Sequence, residues 1–117
     1  MNSKELMEFA VRCADSKKAR DIKVLDVSNL TTLADYFIIF HGGVANHLKA
    51  MADEIEEKLL EKDVKPYSVE GYNTGEWVLM DYSDVIVNIF SEKAREFYDI
   101  EQLWADAVQV DIEHLID

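Results

Sequence analysis

The chain has 117 residues, 49% of them apolar and 31% charged, which predicts one compact domain with a core of its own. Its formal charge of −12 and isoelectric point near 4.5 disfavour nucleic-acid backbones and anionic membranes and suit a basic partner, although many proteins are acidic simply for solubility. No apolar run reaches the ~20 residues that span a bilayer, no signal-peptide core is evident, and the lone Cys13 has no internal disulfide partner, so a reducing, cytoplasmic setting is expected.

Leu6, Phe9, Ala10, Cys13 and Ala14 recur at helical spacing, predicting an amphipathic helix over residues 3–19 with Ser3 as its cap. Residues 22–27 and 35–41 read as two strands. Gly42-Gly43 then turns the chain into a second helix with Leu48, Met51, Ala52, Ile55 and Leu59 along one face and a charged outer face. A third short strand over 66–70 precedes a turn around Gly71–Gly75 and two further strands. Helix resumes near Glu92, and a final helix is expected over 101–108. The order α-β-β-α-β-β-β-α predicts an α/β fold, a single-domain sandwich of a mixed five-stranded sheet with helices over residues 1–108. Residues 109–117 form a tail with no predicted element.

The segment from Gly75 to Phe90 is the most informative. Two apolar runs flank a polar break, the pattern of a β-hairpin with apolar side chains on both faces. A two-residue turn at Tyr82-Ser83 sets Asp81 opposite Asp84, Leu79 opposite Ile86 and Trp77 opposite Asn88. Val78, Met80, Val85 and Val87 share the other face and read as core. The first face mixes a tryptophan, two carboxylates and an amide with aliphatics, which suits a surface covered by another molecule. Trp77 equally fits a core position, since large aromatics also anchor sheets to helices.

Other candidate chemistry is sparse. A glycine pair at a strand-to-helix corner suits a phosphate, but neither a G-x-G-x-x-G nor a P-loop lysine accompanies Gly42-Gly43, and a plain turn is commoner. His41 and His47 lack a third ligand at zinc spacing. Asp81 and Asp84 bracket the hairpin turn and would hold a cation only with a third oxygen ligand, so solvated turn carboxylates are the commoner reading. Cys13 lies on the apolar face of the first helix and reads as a buried thiol.

Several segments appear in one order: Leu25-Asp26-Val27, Ala34-Asp35-Tyr36-Phe37-Ile38-Ile39, Val69-Glu70-Gly71, the hairpin, and Arg95-Glu96-Phe97-Tyr98-Asp99-Ile100-Glu101-Gln102-Leu103-Trp104-Ala105-Asp106-Ala107. In this register, from about Leu6 to Ala107, the chain resembles the ribosome silencing factor (Iojap-like) family. The resemblance implies a small relative of the nucleotidyltransferase fold. It also implies a translational repressor without catalysis or cofactor. Such a factor would bind the large ribosomal subunit through its basic fourteenth protein and block joining of the small subunit.

The candidate partner-binding residues are Glu70, Trp77, Leu79, Asp81, Tyr82, Asp84, Ile86 and Asn88. A homodimer of the free protein is also implied as possible. The rival reading is a nucleotide-binding or nucleotidyltransferase-like enzyme using the Gly42-Gly43 turn. Against it, the turn has no adjacent serine or threonine, and no D-x-[DE] pair follows on a strand. The chain departs from the family's pattern at His41–His47, where hydroxyl residues and an arginine or glutamine are usual. It departs again at Ser83 in place of glycine, a cost if φ is positive there, and at Asn88 in place of histidine.

Overall fold

A computed structural model describes all 117 residues, and the N-terminal pattern forms α1 (Ser3–Ser16). Its cap is Asn2 rather than Ser3. The Asn2 side chain accepts from the Glu5 N–H at 2.8 Å while Glu5 accepts from the Asn2 N–H at 3.0 Å, so two otherwise orphaned donors are satisfied. Then follow β1 (Arg20–Asp26), β2 (Tyr36–Gly42), α2 (Ala45–Leu60), β3 (Ser68–Glu70), β4 (Trp77–Asp81) and β5 (Val85–Ser91). Gly42 is needed at the β2–α2 corner, because a Cβ there would stand 2.6 Å from the Met51 methyl and 2.8 Å from His47 Nδ1.

The sheet has six strands, not five, in the order β3-β4-β5-β2-β1-β6. The additional β6 (Val108–Gln109) pairs antiparallel with Leu25 and Asp26 of β1. It takes Val108, expected to end a helix, and Gln109, the first residue of the tail, where no element is expected. Helix resumes at α3 (Glu92–Tyr98), breaks at Asp99 with φ 44°, and continues only as the single turn α4 (Ile100–Leu103). The intended 101–108 helix stops there because the chain must turn through Trp104–Ala107 to reach the edge of β1.

Only β2 and β5 run parallel, and both lie in the middle of the sheet, which explains why both are apolar on two faces. On one face Val24, Ile38, Phe40, Val78, Met80, Val85, Val87 and Ile89 pack against the buried sides of α1 and α2. The tail closes this core: Ile112 and Leu115 are buried in it, and the Val110 N–H donates to the Val24 carbonyl at 2.8 Å. On the other face Leu25, Ile39 and Phe90 pack with Ala94 of α3, joined by Ile100 and Trp104.

The hairpin register differs from expectation. Trp77 pairs with Phe90, Leu79 with Asn88 and Asp81 with Ile86. The Tyr82 N–H donates to the Val85 carbonyl at 3.0 Å, so the tip is Ser83-Asp84 and the turn sits one residue later than predicted. Ser83 has φ 71°, and the Asp84 N–H donates across it to the Tyr82 carbonyl at 2.9 Å. That is a γ-turn, with a serine where glycine would be unstrained. Moving the turn shifts the pairs by two positions, so each side chain keeps its predicted face.

Candidate partner-binding face

Strand alternation sends Trp77, Leu79 and Asp81 of β4 and Ile86 and Asn88 of β5 to the sheet face opposite α1 and α2. The short α3–α4 arm is too small to cover that whole face. Over β3, β4 and β5 it leaves a groove of about 460 Å³. Six of the eight candidate residues line it: Glu70, Trp77, Leu79, Asp81, Ile86 and Asn88. The structure adds Leu33, Phe37, Ile100, Leu103 and Trp104. Leu33 and Leu103 are each 78% exposed, and beside Trp77, Leu79, Ile86 and Trp104 they make the apolar surface here contiguous rather than scattered. No lysine or arginine lines the groove.

Two candidates fall outside it. Tyr82 is 7% exposed and points into the main core on the opposite face, since it is one residue out of phase with Asp81. Its hydroxyl has no hydrogen-bond partner, and burial raises its pKa well above the ordinary tyrosine value. Asp84 sits exposed at the hairpin tip, where its backbone carbonyl accepts from the Asp35 N–H at 2.8 Å and so ties the turn to the start of β2. The Asp81 carboxylate accepts from the Ser83 N–H at 2.7 Å, which commits it to shaping the turn. Nowhere in the chain do three His, Cys, Asp or Glu side chains gather in the arrangement of a metal site.

Trp77 is half-buried. Its ring lies 4.9 Å from that of Phe90 and 4.9 Å from that of Tyr98, and its indole N–H donates to the Asn88 side-chain carbonyl at 3.2 Å. Asn88, 3% exposed, in turn donates to the Ile38 carbonyl at 3.3 Å. The indole is thereby held in one orientation with an edge left open to the groove, partly core and partly surface. Trp104 closes the far wall, packed edge-on against Phe37 at 5.0 Å.

Arg95 holds that wall in place. It is 8% exposed, donates from Nε to Glu101 at 2.8 Å and from Nη1 to the Asp21 carbonyl at 2.7 Å and to His41 Nδ1 at 3.0 Å. Asp21 lies at an irregularity of β1 with φ 47°, which brings its carbonyl within reach. One guanidinium therefore joins α3, α4, β1 and β2 through Nε and Nη1. Nη2 makes no hydrogen bond and has only the Asp21 carboxylate 3.7 Å away, and removing the Nε and Nη1 partners would leave a buried cation unpaired, at a cost. Accepting at Nδ1 requires a neutral His41 ring. Its pKa is held below the ordinary 6.5 by burial and then by the Arg95 cation, against the opposing pull of Glu92 and Asp21.

The Gly42-Gly43 corner is occupied by the protein itself. The Gly43 N–H donates to His47 Nδ1 at 3.0 Å, and His47 Nε2 reaches the Lys17 carbonyl at 2.7 Å, latching α2 to the end of α1. Both His47 nitrogens are thus used in structure. Cys13 is buried, and burial, followed by Glu54, pushes its thiol up to about 11, the opposite of an activated nucleophile.

The family described as ribosomal silencing factor during starvation matches residues 1–117 of the chain. A ribosomal silencing factor from Bacillus subtilis is 36% identical over 113 residues, covering 97% of this chain and 96% of that protein. A crystal structure of a Chromobacterium violaceum protein superposes with a TM-score of 0.87 at 37% identity, covering 90% of this chain and 88% of that one. A mouse protein named mitochondrial assembly of ribosomal large subunit protein 1 is 30% identical over 101 residues, which is 84% of this chain and 44% of that protein.

Proposed function

The chain belongs to the ribosomal silencing factor family, and from that premise we propose that it represses translation by binding the large ribosomal subunit. The binding site on the subunit is its fourteenth protein, and bound there the factor blocks small-subunit joining by occlusion. It works in the cytoplasm and performs no chemistry. The name of the mouse relative favours the large subunit. The observation that carries the reading is the groove itself: a half-buried, oriented Trp77 among exposed leucines, edged by Glu70 and Asp81 with no cation. An apolar centre with a charged rim is how protein interfaces combine affinity with steering, and ribosomal proteins are basic. Nucleotide chemistry at Gly42-Gly43 is disfavoured because the Gly43 N–H, which a phosphate would need, is already bonded to His47.

Co-sedimentation with isolated large subunits, followed by a light-scattering assay of subunit joining, tests the proposal. Binding without inhibition of joining would remove the occlusion step, and absence of binding would remove the reading altogether. In the free protein the same apolar face serves as a self-association surface, giving a homodimer that large subunits compete apart. Sedimentation of the free chain as a monomer at all concentrations would exclude that arrangement.

A further inference from the structure

A second depression of about 350 Å³ adjoins the groove and shares Glu70, Trp77 and Leu79 with it. Tyr98, Glu76 and the turn at Gly71–Thr74 complete its walls. The Trp77 and Tyr98 rings stand 4.9 Å apart, tilted by 47°. Glu70 and Glu76 are exposed, neither lies within ion-pairing distance of a lysine, arginine or histidine, and no basic residue contributes to the walls.

The turn that carries these groups is built before anything binds. The Thr74 hydroxyl donates to the Gly71 carbonyl at 2.8 Å and accepts from the Glu76 N–H at 3.2 Å and the Trp77 N–H at 3.3 Å. Gly71 has φ 76°, and a Cβ there would collide with the Trp77 carbonyl. Glu76 and Trp77 are therefore held in a fixed relation to Glu70 on the neighbouring strand.

We propose that this depression receives a lysine or arginine side chain of the protein that fills the groove. Two unpaired carboxylates supply the counter-charge for a cation, and the Trp77 and Tyr98 rings give its aliphatic stem an apolar wall. An anionic ligand would meet both carboxylates with nothing to offset them. The inference rests on the groove being the docking face, and gives that face a second element: the groove takes apolar side chains, and the cation beside it sets the partner's orientation.

The test compares Glu70→Gln/Glu76→Gln with Glu56→Gln/Glu57→Gln, which removes the same charge from the outer face of α2, and with Trp77→Ala. Affinity of each for isolated large subunits is measured at physiological salt, and thermal melts establish that each is folded. The pocket variant should bind about tenfold more weakly than the α2 variant, which should stay within about twofold of the wild type. Equal affinities of the two double variants, with Trp77→Ala impaired, overturn the cation pocket and leave the groove standing. Unimpaired binding by Trp77→Ala overturns the groove reading and this inference with it.

Discussion

The Trp77 indole N–H donates to the Asn88 side-chain carbonyl at 3.2 Å, diagonally across the β4–β5 ladder rather than directly opposite. A buried amide thus orients a half-exposed ring, and Tyr98 of α3 supports the ring from outside the sheet. Trp77→Ala removes both ring contacts and leaves the Asn88 carbonyl without its donor. The stability cost should be about 2 kcal/mol, less than the ~3–5 kcal/mol of a wholly buried aromatic. Affinity for large subunits should fall by ~2–4 kcal/mol. Denaturant unfolding and co-sedimentation read the two effects separately, and undiminished binding by the folded variant would show that this face is not the functional one.

Ser83 occupies a left-handed backbone position with φ 71°. Ser83→Gly relieves that strain and keeps the N–H that Asp81 accepts, so unfolding should become harder by about 1 kcal/mol. A lower melting temperature for Ser83→Gly would mean that the serine side chain stabilises the turn in a way its backbone angle does not show.

His41 gives a pH dependence with a definite sign. Its pKa in the folded state lies below the ordinary 6.5, so the unfolded chain takes up this proton first on acidification. The contribution of His41 is complete above about 6.5 and is lost as the pH falls from there through the lowered folded value. His41→Gln should flatten the stability curve in that window. Parallel curves for variant and wild type between pH 5 and 7 would assign the acid sensitivity to other groups.

Deleting residues 110–117 should destabilise the domain strongly, because Ile112 and Leu115 are buried against the main core. Two such side chains are worth ~3–6 kcal/mol together. A truncated chain that melts with the full one would show the tail to be dispensable.

On the proposed docking to a basic protein of the large subunit, association should slow as salt rises, since the chain carries a charge of −12. On the same reading dissociation should respond much less, because apolar contacts in the groove would hold the complex once formed. Stopped-flow rates at low and physiological salt check this, and an association rate indifferent to salt removes electrostatic steering.

Much of this protein is written in short-range pattern. The helical spacing of Leu6 to Ala14 and of Leu48 to Leu59 identified the faces that α1 and α2 bury. The alternation from Trp77 to Phe90 placed Trp77, Leu79, Ile86 and Asn88 on one side of the sheet, and that assignment survived a turn displaced by one residue because side-chain direction depends only on parity. The same parity, missed at Tyr82, would have sent it to the core.

What local pattern cannot carry is the relation between distant segments. The two residues of β6 are too few to show a period, and they are a strand only because β1 offers them an open edge. Leu33, Leu103 and Trp104 look like ordinary loop and helix-end residues until the fold brings them beside Phe37 and Ile86. The reach of Arg95 to Asp21, His41 and Glu101 likewise exists only once four elements have packed around it. Periodicity selects a face for each element, and the packing of all of them determines which part of that face stays open.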